Sequence, residues 1–128
     1  MILLLDTSTD VCKLTIVAAD RKLYSEWLAE RLLAKNLLSY LKEQLASHSK
    51  TWDDITGLGV FTGPGSFTGL RIGTTVFNTI ANSQHVPIVG SNGKAWQQKA
   101  LKKLAEGHNN QIVLPFYDKA ANITKPRR

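Results

Sequence analysis

The sequence predicts an α/β domain in which helices flank a mixed β-sheet. Three strand candidates follow one another at residues 2–6, 11–18 and 22–28. From residue 30 onward, helical patterns alternate with short apolar runs, and a length of 128 residues suits one domain. Short turns between the first three strands predict an antiparallel meander, whereas helical crossovers predict parallel pairing of the later strands.

The first predicted helix covers residues 30–48. Its apolar stripe recurs at helical spacing, and two further residues form an apolar shoulder beside that stripe. A helix docked on one sheet needs only the stripe, so the shoulder suggests a second contact. The stripe is Ala34, Leu37, Leu38, Leu41 and Leu45, and the shoulder is Leu33 and Tyr40.

The remaining elements complete the alternation. We predict strands at residues 55–61 and 86–89, helices at residues 67–84 and 95–106, and a short strand at residues 112–114. Three strands followed by helix, strand, helix, strand and helix is the order of the RNase H-like or actin-like module. The sequence therefore predicts one such domain over residues 1–128, with a mixed sheet of about five strands and a basic tail at residues 115–128.

Composition limits the classes of function. The single cysteine, Cys12, allows no internal disulfide and is interpreted as a small buried residue on a strand. The apolar start is too short and lacks the basic flank of a signal peptide, and no segment has the length of a membrane span. These features predict a cytoplasmic protein without membrane attachment.

The formal net charge of +6 is placed unevenly along the chain. Residues 1–93 hold eight basic and eight acidic side chains, whereas residues 94–128 hold eight basic and two acidic ones. This excess suggests contact with nucleic acid, and a solvated helix face with a basic end explains it at least as well. The candidate contacts within the last predicted helix and beside it are Lys94, Lys99, Lys102 and Lys103.

The glycine-rich segment at residues 63–73 lies between a predicted strand and a predicted helix. Gly63 and Gly65 favour a tight structural turn, and a phosphate cradle at the helix start is the second interpretation. The spacing matches neither a Walker loop nor a dinucleotide fingerprint. Gly69 and Gly73 share one helical face, which indicates close approach of another backbone from either its own sheet or a partner helix.

The histidine, serine and carboxylate residues do not occur in the sequence patterns typical of metal-binding or catalytic sites. The three histidines are far apart in sequence, which argues against a metal site, and Ser66 is not in a nucleophile-elbow pattern. No pair of carboxylates can be assigned to acid–base chemistry. We therefore expect no catalytic residues, no metal and no enzymatic activity from this chain alone.

Two motifs carry a resemblance to a known family. The first is Asp6, Thr7, Ser8 and Thr9, and the second includes Gly63, Pro64, Gly65, Ser66, Phe67, Thr68, Gly69, Arg71 and Gly73. Together they resemble the N-terminal domain of the TsaB (YeaZ) family over about residues 1–90. Residues 114–126 are weakly similar to the tail of many members, so we expect a shortened form in which the second domain is lost and the tail kept.

The resemblance implies a scaffold role in making threonylcarbamoyl-adenosine in tRNA. It implies a TsaD-like transferase as heterodimer partner, a TsaE-like ATPase in the complex and indirect contact with tRNA, and it allows a homodimer. It assigns no cofactor to this chain and leaves ATP to the assembled complex. The implied partner interface comprises Leu33, Leu37, Tyr40, Leu41, Gly69, Gly73, Val76, Phe77 and Ile80.

Two other functions are consistent with the residues. One is a nucleotide-binding or nucleotide-hydrolysing actin-like remnant, which would use Asp6 and the glycine segment. The other is a small basic RNA-binding module, although Trp96, Phe116 and Tyr117 are too scattered for a stacking platform.

Overall fold

A single five-stranded sheet organises the fold in the computed structural model, which describes residues 1–115. The spatial order of the strands is β3-β2-β1-β4-β5. Strands β1, β2 and β3 form the predicted antiparallel meander, and β1, β4 and β5 run parallel. The strands are β1 Ile2–Asp6, β2 Val11–Ala18, β3 Arg21–Leu28, β4 Gly57–Phe61 and β5 Ile88–Ser91.

Helices cover both faces of this sheet. Leu3 and Leu5 of β1 pack in one core cluster with the first two helices, whereas Leu4 packs in a second cluster with the third helix. Adjacent side chains of a strand point to opposite faces, so the sheet lies between two helical layers. The helices are α1 Leu33–Ser47, α2 Phe67–Gln84 and α3 Trp96–Ala105, with short 3-10 turns at Glu30–Leu32 and Trp52–Asp54.

The bounds of five elements differ from the sequence prediction: α1 and β5 differ most, and β3, β4 and α3 differ by one or two residues. The first predicted helix begins with the turn Glu30–Leu32, in which Glu30 has a φ of 48°, and α1 follows from Leu33. Strand β5 begins two residues later than predicted, because Pro87 has no N–H to donate to a ladder. Its carbonyl still accepts a hydrogen bond from Leu58 N at 3.0 Å.

The predicted strand at residues 112–114 is wrong. Asn78 Nδ2, on α2, donates a hydrogen bond to the Val113 carbonyl, and Val113 N donates one to Asn78 Oδ1; both donor–acceptor distances are 2.8 Å. Side chains also cover the outer edge of β5: Ile88 N donates to Asn109 Oδ1, and Gly90 N donates to Asn110 Oδ1. Two backbone N–H groups that a sixth strand would need are therefore bonded to amide side chains, and the Ile88 carbonyl accepts a hydrogen bond from Asn110 N at 2.8 Å.

Within the described part of the chain, no helix combines the length and the apolar character required to cross a membrane.

Candidate functional site: the motif junction and the helix groove

The two sequence motifs meet at the carboxyl end of β1 and form one unit, here called the motif junction (residues 6–9 and 63–73). Ser8 N donates to Asp6 Oδ1 at 2.8 Å, and Ser66 N donates to the Ser8 carbonyl at 2.8 Å. The Thr7 hydroxyl donates to the Gly69 carbonyl at 2.6 Å. These bonds fix the start of α2 against the end of β1.

Three glycines of the motif junction, Gly65, Gly69 and Gly73, leave no room for a side chain. A Cβ on Gly65 would lie 2.4 Å from Ser8 Cβ, and one on Gly69 would lie 2.2 Å from the Thr7 carbonyl oxygen. A Cβ on Gly73 would lie 2.3 Å from Thr7 Oγ1. The close approach predicted for Gly69 and Gly73 is thus made by the chain's own Thr7, which is fully buried, and their assignment to a partner interface is corrected.

Gly69→Ala is expected to lower the free energy of unfolding by about 2 kcal/mol. Overpacking against a fixed backbone atom costs about 1–3 kcal/mol, and this close contact is at or above the upper end of that range. Alanine favours a helix over glycine by about 1 kcal/mol, which offsets part of this cost. Urea denaturation of both proteins measures the difference. Gly57→Ala is the control, because its Cβ would make only ordinary van der Waals contacts, 3.4 Å from the Leu104 side chain and 3.6 Å from Ile2 Cγ1. Equal stability of Gly69→Ala and the parent protein would contradict this packing.

The start of α2 is capped within the chain. Ser66 is the N-cap residue, and its hydroxyl accepts a hydrogen bond from Gly69 N at 3.2 Å. Beside it lies a cavity of about 340 Å³, whose lining includes the acidic residues Asp10 and Glu30 together with Arg31. Two carboxylates disfavour a phosphate at this position, which favours the tight structural turn over the phosphate cradle.

Two surface cavities follow one another along α1 and α2. The first has a volume of about 360 Å³, and the second, of about 190 Å³, includes Leu38 and Trp52 in its lining. Leu38 is 54% exposed although it is apolar. We call this surface the helix groove and define it by Ala34, Leu38, Trp52, Thr68, Arg71, Ile72, Thr75, Val76, Thr79, Ile80, Ser83 and Gln84.

Most residues predicted for the partner interface lie in the chain's own core. Leu33, Leu37, Tyr40, Leu41, Phe77 and Ile80 are all buried in the cluster beneath α1 and α2. Tyr40 packs on Trp27 of β3 with ring centroids 5.1 Å apart, and its hydroxyl donates to Ser25 Oγ at 2.7 Å. The predicted interface is therefore corrected: Val76, which is half-buried, and the outer edge of Ile80 line the helix groove, and the other residues support it from below.

The error arose from the face assigned to the first helix. The supposed shoulder, Leu33 and Tyr40, packs inward, whereas Ala34 and Leu38 of the supposed stripe point toward solvent. Sequence reasoning missed Ile72 as a groove residue. The signal available was its i,i+4 spacing to Val76, which repeats the spacing of Ala34 and Leu38 on the facing helix.

The surface around the motif junction also carries an aromatic residue. Phe67 is 54% exposed at the first position of α2, and the guanidinium carbon of Arg71 lies 5.2 Å from its ring centroid. This geometry is a cation–π contact between two residues that lie one helical turn apart on α2. Arg71 also lines the helix groove defined above.

The four lysines proposed as nucleic-acid contacts separate into two pairs. Lys103 Nζ donates to the Gly90 carbonyl at 2.9 Å, and Lys99 Nζ donates to the Asn92 carbonyl at 3.3 Å. Both therefore help to hold α3 against β5 and the loop after it. Lys94 and Lys102 are exposed and remain the candidates for contact with an acidic partner. The predicted basic tail, apart from Pro115, lies outside the described residues.

Titratable groups with shifted pKa values are few among residues 1–115. Burial, with a smaller contribution from Asp6, raises the pKa of Cys12 to about 12, and the interpretation of Cys12 as a buried residue on a strand is confirmed. Burial also raises the pKa of Tyr40, against the opposite effect of its hydrogen bond to Ser25. No group of three or more His, Cys, Asp or Glu side chains in this part of the chain could hold a metal ion.

The strand order, the two helical layers and the motif junction define the class of protein. A mixed five-stranded sheet of this arrangement belongs to the actin-like and RNase H-like ATPase fold class. A structure titled "YeaZ from Pseudomonas aeruginosa" superposes with a TM-score of 0.69 and 28% identity, covering 81% of this chain and 49% of that one.

Sequence comparison identifies the family within this class. A family model described as "TsaD: tRNA N6-adenosine threonylcarbamoyltransferase" matches residues 27–115, which is more than half of the chain. Two similar proteins are both named "tRNA threonylcarbamoyladenosine biosynthesis protein TsaB". The one from Haemophilus influenzae is 31% identical over 94% of this chain and 50% of the relative. The one from Escherichia coli is 29% identical over 70% of this chain and 38% of the relative.

The chain belongs to the TsaB (YeaZ) family, and its residues 27–115 also match the family model described as TsaD. It spans about half the length of the curated relatives that it matches.

Proposed function

We propose that this chain is a non-catalytic accessory subunit in the synthesis of threonylcarbamoyl-adenosine in tRNA, and that it pairs with a TsaD-like transferase through the helix groove. The relatives' printed name supports the pathway. The observation that supports the pairing surface is an apolar groove, left open between two helices that are otherwise packed on their own sheet.

The chemistry of the groove suits a helical partner. Its floor is formed by half-buried Ile72 and Val76, and Leu38 stands exposed at its wall. An apolar groove between helices accepts the apolar stripe of another helix, with anchors at i, i+3 and i+4. Because the TsaD-like family model also matches this chain, the partner is proposed to present the equivalent pair of helices.

In the proposed role, the TsaD-like partner rather than this chain catalyses the transfer reaction. Cys12 is a buried thiol whose pKa is raised to about 12, so it is protonated at neutral pH and cannot serve as a nucleophile. Ser66 is used as a helix cap. A TsaE-like ATPase is proposed to join the assembly in the cytoplasm, and ATP is assigned to that assembly rather than to this chain.

Contact with tRNA is proposed for the exposed lysines Lys94 and Lys102. Their ammonium groups could neutralise phosphates with release of counterions, a contribution that does not depend on base sequence. Lys99 and Lys103 are no longer part of this proposal, because both are bonded to backbone carbonyls.

Reconstitution tests the role. This chain, the TsaD-like and TsaE-like proteins of the same cell, ATP, the threonylcarbamoyl donor and unmodified tRNA are combined, and modified adenosine is measured. We expect no product from this chain alone and a strong loss of product when it is omitted from the full mixture. Lys102→Glu should lower the yield at low salt without preventing assembly. Product from the chain alone, or an unchanged yield without it, would overturn the proposal.

A further inference from the structure

The loop between β5 and α3 contains Asn92 followed by Gly93, which is the only asparagine–glycine pair in the sequence. Both residues are exposed. Gly93 has a φ of 81°, a backbone conformation that residues with a side chain rarely adopt. Because Gly93 has no Cβ, no side chain shields its backbone nitrogen. The asparagine side chain and the nitrogen that follows it are therefore both open to reaction.

Neither of these two groups is bonded elsewhere within residues 1–115. The Asn92 side-chain amide and the Gly93 N–H make no hydrogen bond in this part of the chain. Asn82 is also exposed, but the N–H that follows it belongs to α2 and is directed at a carbonyl one helical turn earlier. Three further asparagines have side-chain oxygens that accept hydrogen bonds from backbone N–H groups: Asn78, Asn109 and Asn110.

The ammonium group of Lys99 acts on the same peptide bond. Lys99 Nζ donates to the Asn92 backbone carbonyl at 3.3 Å. That carbonyl and the Gly93 N–H belong to one peptide group. A positively charged donor on the oxygen draws electron density from the nitrogen through amide resonance, so the N–H loses its proton more readily. Lys99 therefore favours formation of a nucleophile next to the Asn92 side chain.

We propose that Asn92 is a site of spontaneous deamidation, in which the Gly93 nitrogen attacks the side-chain carbonyl carbon of Asn92 with assistance from Lys99. A bond forms between that nitrogen and Cγ, and the bond from Cγ to the side-chain nitrogen breaks. The proton lost from the Gly93 nitrogen ends on the departing ammonia. One water molecule then opens the cyclic imide at either of its carbonyls. The products are an aspartate and an isoaspartate, each with one new carboxylate.

The new carboxylate changes the charge of the basic region. It lowers the formal net charge of +6 by one unit, and it lies two residues before the exposed Lys94. Lys94 is one of the two lysines proposed above to contact tRNA. Repulsion between the carboxylate and the phosphates weakens that contact, and this consequence alone rests on the proposed function. The deamidation itself needs neither tRNA nor a partner protein.

Peptide mass spectrometry of the folded full chain, incubated at mildly alkaline pH, measures the rate of conversion at each asparagine. We expect conversion at Asn92 to be at least about tenfold faster than at the exposed Asn82. Lys99→Gln keeps a hydrogen-bond donor without the positive charge and should slow conversion about tenfold. Lys99→Arg retains the charge and should restore the rate. Lys103→Gln is the matched control, because Lys103 bonds the Gly90 carbonyl instead, and its rate should equal that of the parent chain.

The role of Lys99 depends on the folded loop, so the same series is repeated in urea. There the parent chain and Lys99→Gln should react at equal rates, because the contact with the Asn92 carbonyl is lost. An unmodified Asn92 after several weeks in the folded chain would overturn the proposal. Equal folded-state rates for Lys99→Gln and the parent chain, or equal slowing by Lys103→Gln, would contradict the assistance by Lys99.

The consequence for tRNA is tested separately from the chemistry. Binding of unmodified tRNA at low salt, where charge effects are strongest, is compared for Asn92→Asp and Asn82→Asp. We expect a loss of affinity for Asn92→Asp alone. Equal affinities would contradict the consequence for tRNA and the assigned contact of Lys94, whatever the rate of deamidation. Failure of the inference and failure of the proposed function therefore give different results.

Discussion

Phe77→Ala is expected to lower the free energy of unfolding by about 3–5 kcal/mol, the range observed when a buried phenylalanine is truncated in a well-packed core. Phe77 is fully buried in the cluster formed by α1, α2 and the sheet. Truncation removes most of its side chain and leaves a cavity that the rigid sheet and α1 cannot close. Such a loss is a large share of the 5–15 kcal/mol that stabilises a typical domain.

The neighbouring residue provides the matched comparison. Val76 is half-buried at the helix groove, so Val76→Ala should cost about 1 kcal/mol or less, because the transfer loss is small and alanine favours helix. Urea denaturation of both variants measures the difference. Similar losses for the two residues would contradict the orientation of α2 described here.

The course of the chain through the sheet was predictable from sequence. The alternation of Cys12, Leu14 and Ile16 with polar residues identifies β2, and all three are buried. The bounds of α2 were also correct at both ends, because Ser66 is a strong N-cap and the apolar face continues to Ile80. These signals are local, and local sequence preferences predict an element correctly when tertiary packing favours the same conformation.

The orientation of α1 could not be predicted in the same way. Both Leu38 and Tyr40 are apolar, and helical spacing alone does not say which of them faces the sheet. The choice is made by Trp27 and Ser25 on β3, which offer Tyr40 a stacking surface and a hydrogen-bond acceptor. These partners lie on another element, the preceding strand β3, so the exposed Leu38 could be identified only from the structure.

The predicted strand at residues 112–114 failed for a related reason. The apolar residues Ile112, Val113 and Leu114 fit a short strand, but only Val113 is buried. Its backbone is held by Asn78, which lies 35 residues earlier on α2. No local sequence pattern predicts that an amide side chain will make the backbone hydrogen bonds that a neighbouring strand would otherwise make.

Leu38→Glu is expected to weaken the affinity for a TsaD-like partner by at least about 30-fold. Leu38 is 54% exposed in the free chain, so a carboxylate there remains hydrated and the fold is kept. In the proposed complex the same position is covered by the partner's helix, where an unpaired carboxylate must be desolvated. Truncation of a central hot-spot residue alone costs about 2 kcal/mol or more, which corresponds to this factor.

Ser39→Glu is the control for this change. Ser39 is exposed on the same helix, one residue further along, and does not line the helix groove. The added charge is identical, so a general electrostatic effect on the partner would appear in both variants. Thermal unfolding of the two variants should agree within a few degrees, which confirms that neither change damages α1.

Isothermal titration calorimetry of the TsaD-like protein with the parent chain, Leu38→Glu and Ser39→Glu tests whether the helix groove is the pairing surface. We expect tight binding by the parent chain and by Ser39→Glu, and a dissociation constant raised at least about 30-fold for Leu38→Glu. Equal affinities for Leu38→Glu and Ser39→Glu in folded proteins would contradict the helix groove as the pairing surface.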